Sequence, residues 1–231
     1  MSRERQEPAE FDDIISLGGR CQIAHQLRRI RPYADRAFPF DWLITPDASL
    51  LRLLEHDFAD FLRLDGLAEN ATSRAEFSYR HVVETRYGIV LTHDFKQGTA
   101  IAAAWPAVRQ KYVFLIDRWR SLLASDRRIL FIRQSYGRTD AVTNDLDDLA
   151  DAAMGGRIAK AIACTYPRLR FRILCLTHRP PTAAEPLPPG IDVAHVPQRT
   201  PWSWTGCDAA WNSLLARHVV LPVSSPAPQS D

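Results

Sequence analysis

The chain has 231 residues, of which 46% are hydrophobic and 24% charged, with a formal net charge of +2. Such a length and composition fit one globular domain that buries its own core. They exclude a membrane-spanning helix, since no apolar run approaches the ~20 residues that one needs, and the near-neutral charge argues against a dedicated nucleic-acid surface.

In chain order, residues 1–12 read as a flexible N-terminus, 13–221 as a single α/β domain and 222–231 as a disordered tail. The mixed charges of the first eight residues, with no apolar stretch, predict a cytoplasmic chain. Asp13-Ile14-Ile15-Ser16-Leu17 is a β-branched run broken by Gly18-Gly19, after which Ile23, Ala24, Leu27 and Ile30 recur at helical spacing. A second helix is predicted over Ser49 to Leu62, followed by a polar loop to about Ala75. Phe77 to Phe95 reads as an extended segment folded back at Tyr87-Gly88 and running through Ile89-Val90-Leu91 into His93-Asp94. Trp105 to Leu123 is an amphipathic helix with Val108, Tyr112, Leu115, Ile116, Trp119 and Leu122 on its buried side. The apolar strands Ile129–Ile132 and Phe171–Leu176 flank a helical stretch around 146–166. A further strand is expected at 191–196 and a closing helix at 207–219, while the proline-rich 179–190 reads as a surface loop. Apolar strands alternating with helices predict a three-layer sandwich with a mostly parallel central sheet.

The four cysteines, Cys21, Cys164, Cys175 and Cys207, show no C-x-x-C spacing. Free thiols are expected, with no disulfide framework, metal or cofactor implied. Cys21 stands out because the Gly18-Gly19 turn delivers it to a helix start, where unpaired amides and the helix dipole stabilise an anion and lower a thiol pKa. A thiol nucleophile needs a base. Of the seven histidines, His25 lies one turn beyond Cys21, and His93 ends a predicted strand beside Asp94. Adjacent strand residues point to opposite faces, which turns Asp94 away from His93 and leaves Asp41 or Asp208 to orient it. Asp41 sits in Phe38-Pro39-Phe40-Asp41-Trp42, which also reads as a core-anchoring turn. Arg133, after the 129–132 strand, falls at the carboxyl edge where α/β sheets bind ligands and is a candidate anion contact. Dinucleotide, P-loop and G-x-S-x-G patterns are absent.

The ordered set Ser16-Leu17-Gly18 with Cys21 and Ala24, then Ala37-Phe38-Pro39-Phe40-Asp41-Trp42, then Tyr87-Gly88 and His93-Asp94-Phe95 resembles a bacterial domain-of-unknown-function family described as papain-like cysteine peptidases. The resemblance implies a nucleophile at Cys21 with His93 as its partner, in the cysteine-then-histidine order of papain-like enzymes, and a papain-like α+β fold as the alternative to the parallel sheet. The candidate catalytic set is Cys21, His93, Asp41 and Asp94, with Gly18, Gly19, Arg20 and Arg133 as substrate contacts. The expected reaction is hydrolysis or acyl transfer at a peptide or amide bond, on a peptide or small-molecule substrate, without nucleic acid or membrane. The alternative is a nucleotide-sugar or phosphorylated-ligand transferase or binding domain that uses the Gly18-Gly19 turn as its anion site.

Overall fold

The computed structural model describes residues 11–30, 36–134, 151–177, 187–197 and 204–218. The N-terminal ten residues, the tail 222–231, most of the 179–190 loop and Trp202-Ser203 lie outside the described residues. Among the described residues no helix is long and apolar enough to cross a membrane.

Four strands, β1 (Asp13–Ser16), β6 (Arg128–Gln134), β7 (Arg170–Thr177) and β8 (Ile191–His195), pair in that order, all parallel. Alternation along them explains the layering. Leu130, Ile132, Leu174 and Leu176 project to one face, where Ile23 and Leu27 of α1 (Gln22–Ile30) and Trp211 and Leu214 of α5 (Asp208–His218) cover them. Ile129, Phe131, Ile173 and Cys175 project to the other, against α3 (Ile101–Leu123) and α4 (Asp151–Thr165). The rings of Trp119 and Phe131 meet there at 5.6 Å. Each such fully buried side chain stabilises the fold by roughly 1.5–3 kcal/mol. At Gly155 a Cβ would stand 2.9 Å from the Cys175 sulfur and 2.8 Å from Ile191, so α4 approaches the sheet closely because it has no side chain there. The expected three-layer sandwich with a parallel sheet is what the chain forms, and the antiparallel half-barrel of the papain-like alternative does not describe that sheet.

A second, antiparallel sheet lies beside it, in the order β2 (Leu43–Ile44), β5 (Ile89–Lys96), β4 (Tyr79–Glu84), β3 (Leu67–Glu69). Its β4–β5 hairpin turns at Gly88, in a left-handed conformation with φ +72°, as the sequence predicts. β2 and β3 are two and three residues long, too short to show a period. Register fails at one place: Val82 faces Leu91 but Arg80 faces Phe95, so Thr92, His93 and Asp94 together oppose His81 alone. This is a β-bulge of the extended kind, a device that re-aims side chains.

The helix expected over Ser49 to Leu62 is shorter. α2 spans Asp47–Glu55, and the chain then enters a turn in which Asp57, Phe58, Asp60 and Leu62 all have φ between +45° and +60°. None is glycine, so each conformation costs about 1–2 kcal/mol. Distant groups hold the turn: Arg120 grips both Asp57 carboxylate oxygens at 3.2 and 3.0 Å, Tyr87 donates its hydroxyl to the Ala59 carbonyl, and Trp105 Nε1 donates to the Leu62 carbonyl at 2.8 Å. Phe58, Phe61 and Leu62 remain buried, which is why their spacing imitates a continuing helix. α3 begins at Ile101, four residues before the expected start at Trp105, and carries Pro106 within it.

Candidate active site

Two left-handed glycines connect β1 to α1, with φ +72° at Gly18 and +97° at Gly19. The turn is locked on both sides. Gly18 donates its N–H to Ser16 Oγ at 3.0 Å, Gln134 N–H donates to the Gly18 carbonyl, and Thr45 N–H donates to the Gly19 carbonyl, the last two at 3.4 Å. Cys21 follows as the N-cap residue of α1, its carbonyl accepting the first intrahelical bond from His25 N–H at 3.0 Å. The amides of Gln22 to Ala24 therefore have no partner within the helix. Cys21 is half-buried at the carboxyl edge of the parallel sheet, the edge at which α/β folds bind ligands.

The expected lowering of the Cys21 pKa does not prevail. Burial pushes the thiol above its usual range, the Thr92 hydroxyl beside the sulfur pulls it back, the Asp41 carboxylate pushes it further up, and the Arg20 charge opposes that push. The resting form is the thiol, so attack requires a base.

Asp41 stands close enough for its charge to be felt at the sulfur. The Phe38–Asp41 turn is reciprocal: Phe38 N–H donates to Asp41 Oδ2 at 3.0 Å while Asp41 N–H donates to the Phe38 carbonyl at 3.2 Å. Asp41 is thus both the turn's anchor and a charge facing the cysteine. Arg28, two turns along α1 on the same stripe as Cys21, brings its guanidinium to 3.6 Å from Asp41 Oδ2 and stacks over Trp42 at 4.7 Å. Desolvation raises the Asp41 pKa to about 6, against the backbone N–H of Phe38 and the charge of Arg28. A raised carboxyl pKa means that the folded state holds its proton more tightly than the unfolded state. Stability should therefore fall as pH rises from about 4 to about 6, by about 3 kcal/mol, and then level off. Asp41→Asn should abolish that slope, as measured by urea unfolding across this range.

The β5 bulge distributes the remaining candidates. Thr92 turns toward Cys21 and reaches the Trp42 carbonyl at 3.4 Å. Asp94, its side chain 1% exposed, accepts from Lys111 Nζ at 2.5 Å and from the Tyr112 hydroxyl at 3.0 Å. Tyr112 is held well above the usual phenol range by burial first, then by Asp94, Asp41 and Cys21, which places all four groups in one electrostatic neighbourhood. His93 is exposed, its ring set edge-on to Trp42 at 5.5 Å and near Tyr79 at 6.1 Å. Desolvation lowers its pKa, Asp94 raises it and Lys111 lowers it, so at pH 7 the imidazole is mainly neutral and able to take a proton. Among the described residues no hydrogen bond joins His93 to Cys21.

Arg133, expected as an anion contact, is 1% exposed. Its guanidinium is committed to protein: Nε and a terminal nitrogen to Asp47 Oδ1, and the two terminal nitrogens to the carbonyls of Leu17 and Thr45 at 2.8 and 2.7 Å. With the Gly18 amide also engaged, the anion-binding alternative keeps only the helix start. Asp208 bonds Gln26 and Arg29 at the far end of α1. The residues that sequence reasoning missed are Thr92, Lys111 and Tyr112. Only Tyr112 left a signal, a hydroxyl on the buried side of a helix that must find a partner.

The model of a family described as "Putative papain-like cysteine peptidase (DUF1796)" matches residues 12–180. The chain belongs to this family. The match includes the glycine turn, Cys21, the Phe38–Trp42 turn and the His93-Asp94 bulge, and the family's description supplies the activity, a papain-like cysteine peptidase. The chain is also similar to uncharacterized protein R408 of Acanthamoeba polyphaga mimivirus, 24% identical over 154 residues, which cover 60% of this chain and 68% of that protein. No solved structure matches. Among the described residues no cluster of three or more histidine, cysteine or acidic side chains is placed to hold a metal ion.

Proposed function

We propose that Cys21 is the nucleophile of this peptidase and that His93 is its base. The observation that carries the reading is the position of Cys21: it caps α1 at the carboxyl edge of the parallel sheet, with Thr92 of the neighbouring sheet near enough to act on its titration. His93, one residue along β5, takes the thiol proton, directly or through one water. The thiolate attacks the carbonyl carbon of a peptide or amide bond, and the amides at the start of α1 hold the oxyanion. The C–N bond breaks as the imidazolium returns its proton to the departing amine, leaving a thioester on Cys21. Water, giving its proton to His93, then releases the acid and the free thiol. Asp94 acts as a positioning residue by fixing Lys111 and Tyr112 behind the cysteine. Asp41 holds the turn that faces the sulfur. Gly18 and Gly19 shape the floor, and Arg20 offsets the carboxylate charge at the thiol.

Iodoacetamide at pH 7, with site-resolved mass spectrometry, tests this. Cys164 is exposed and Cys21 half-buried, so without activation Cys21 reacts more slowly. The proposal expects it to react faster than Cys164 all the same, because His93 takes its proton as the reagent is attacked, with His93→Ala erasing most of the advantage and Cys21→Ser abolishing peptide hydrolysis. Cys21 alkylating no faster than Cys164, or unaffected by His93→Ala, overturns the assignment.

A further inference from the structure

A groove of about 830 Å³ lies away from Cys21, between the left-handed turn after α2 and α3. Its size is that of a small-molecule site. Phe58, Phe61, Leu64, Trp105, Val113 and Ile116 supply its apolar lining. Leu64 and Val113 are exposed, so apolar surface remains uncovered here. The wall is rigid, because the Leu62 carbonyl, the Ala59 carbonyl and Asp57 are each gripped by a side chain from another element.

The charges on the rim are almost all spent. Arg63 pairs with Asp60 and Asp65, and Arg120 with Asp57 and Asp117. Arg109 is the exception: among the described residues it has no carboxylate partner, and its guanidinium lies over the Trp105 ring at 5.9 Å. We infer that this groove binds a small molecule with an apolar body and one carboxylate, of the size of a medium-chain fatty acid. The body would lie along Phe61, Val113 and Ile116, and the carboxylate would take the fork of Arg109. The site is independent of the cysteine chemistry.

Decanoate and decan-1-ol titrated calorimetrically into the full chain test it. Decanoate is expected to bind saturably at one site, at least tenfold more tightly than the alcohol. Arg109→Gln should cost decanoate that tenfold and leave decan-1-ol unchanged, Val113→Asp should weaken both, and Cys21→Ser should bind as the parent does. Circular dichroism establishes that each variant is folded. Absence of saturable decanoate binding, or binding indifferent to both Arg109→Gln and Val113→Asp, overturns the inference. So does sedimentation showing a dimer that Val113→Asp dissociates, since the groove would then be an interface between two copies.

Discussion

Gly19→Ala is expected to destabilise the protein by about 3–5 kcal/mol. Two costs combine. At φ +97° an L side chain is strained, and the added Cβ would stand 2.1 Å from the carbonyl oxygen of Gln134, which belongs to β6 and cannot retreat without unpairing the sheet. A loss of this size lowers the melting temperature by about 6–20 °C for a domain of this length. Gly98→Ala provides the control. That glycine has φ +80° but nothing within 4 Å of its Cβ position, so only the conformational cost of about 1 kcal/mol should appear. Equal losses in the two variants would show that the approach to Gln134 is not what demands glycine. Because Gly19 leads directly to Cys21, its replacement should also slow alkylation of that thiol in the fraction that stays folded.

Arg133→Met should cost a similar amount, about 3–5 kcal/mol. Methionine fills much of the volume but leaves the carbonyls of Leu17 and Thr45 without a donor and the Asp47 carboxylate without its cation. The double variant Arg133→Met with Asp47→Asn should recover part of the loss, because an amide no longer strands a charge. Arg133→Lys should not rescue, since one ammonium cannot point donors at acceptors from the segment after β1, from the segment after β2 and from α2 together. Additive single-variant losses in a urea double-mutant cycle would contradict the ion pair as their source.

Much of the architecture is legible in the sequence because burial on both sides of a parallel sheet leaves continuous apolar runs. Ile129–Ile132 and Phe171–Leu176 announce such strands. The antiparallel sheet is only half legible. Its hairpin declares itself at Gly88, but β2 and β3, at two and three residues, are too short for alternation to repeat. The left-handed turn after Glu55 is invisible for a different reason: Asp57, Phe58, Asp60 and Leu62 carry no glycine signature, and the groups that hold them lie in α3 and at the β4–β5 turn.

The site divides along the same line. Cys21 can be found from Gly18-Gly19 because the turn and the helix are local. Thr92 cannot, since simple alternation fails where three residues face His81. Arg133 reads as an anion contact at a strand end because its burial depends on acceptors contributed by Leu17 and by the 45–47 segment, far off in the chain. The helix-start argument for an acidic thiol omitted burial, and burial dominates.

The clamp from Arg133 to the Leu17 carbonyl spans 116 residues of chain, and this separation bears on how the protein is made. Cys21 leaves the ribosome long before the strand on which its turn rests. At the usual pace of synthesis the interval is roughly 6–20 s. Throughout it the glycine turn has neither Gln134 nor Arg133 to hold it, and the thiol is an ordinary cysteine on an unfinished chain. On the assignment of Cys21 proposed above, hydrolysis waits until β6 has emerged and paired.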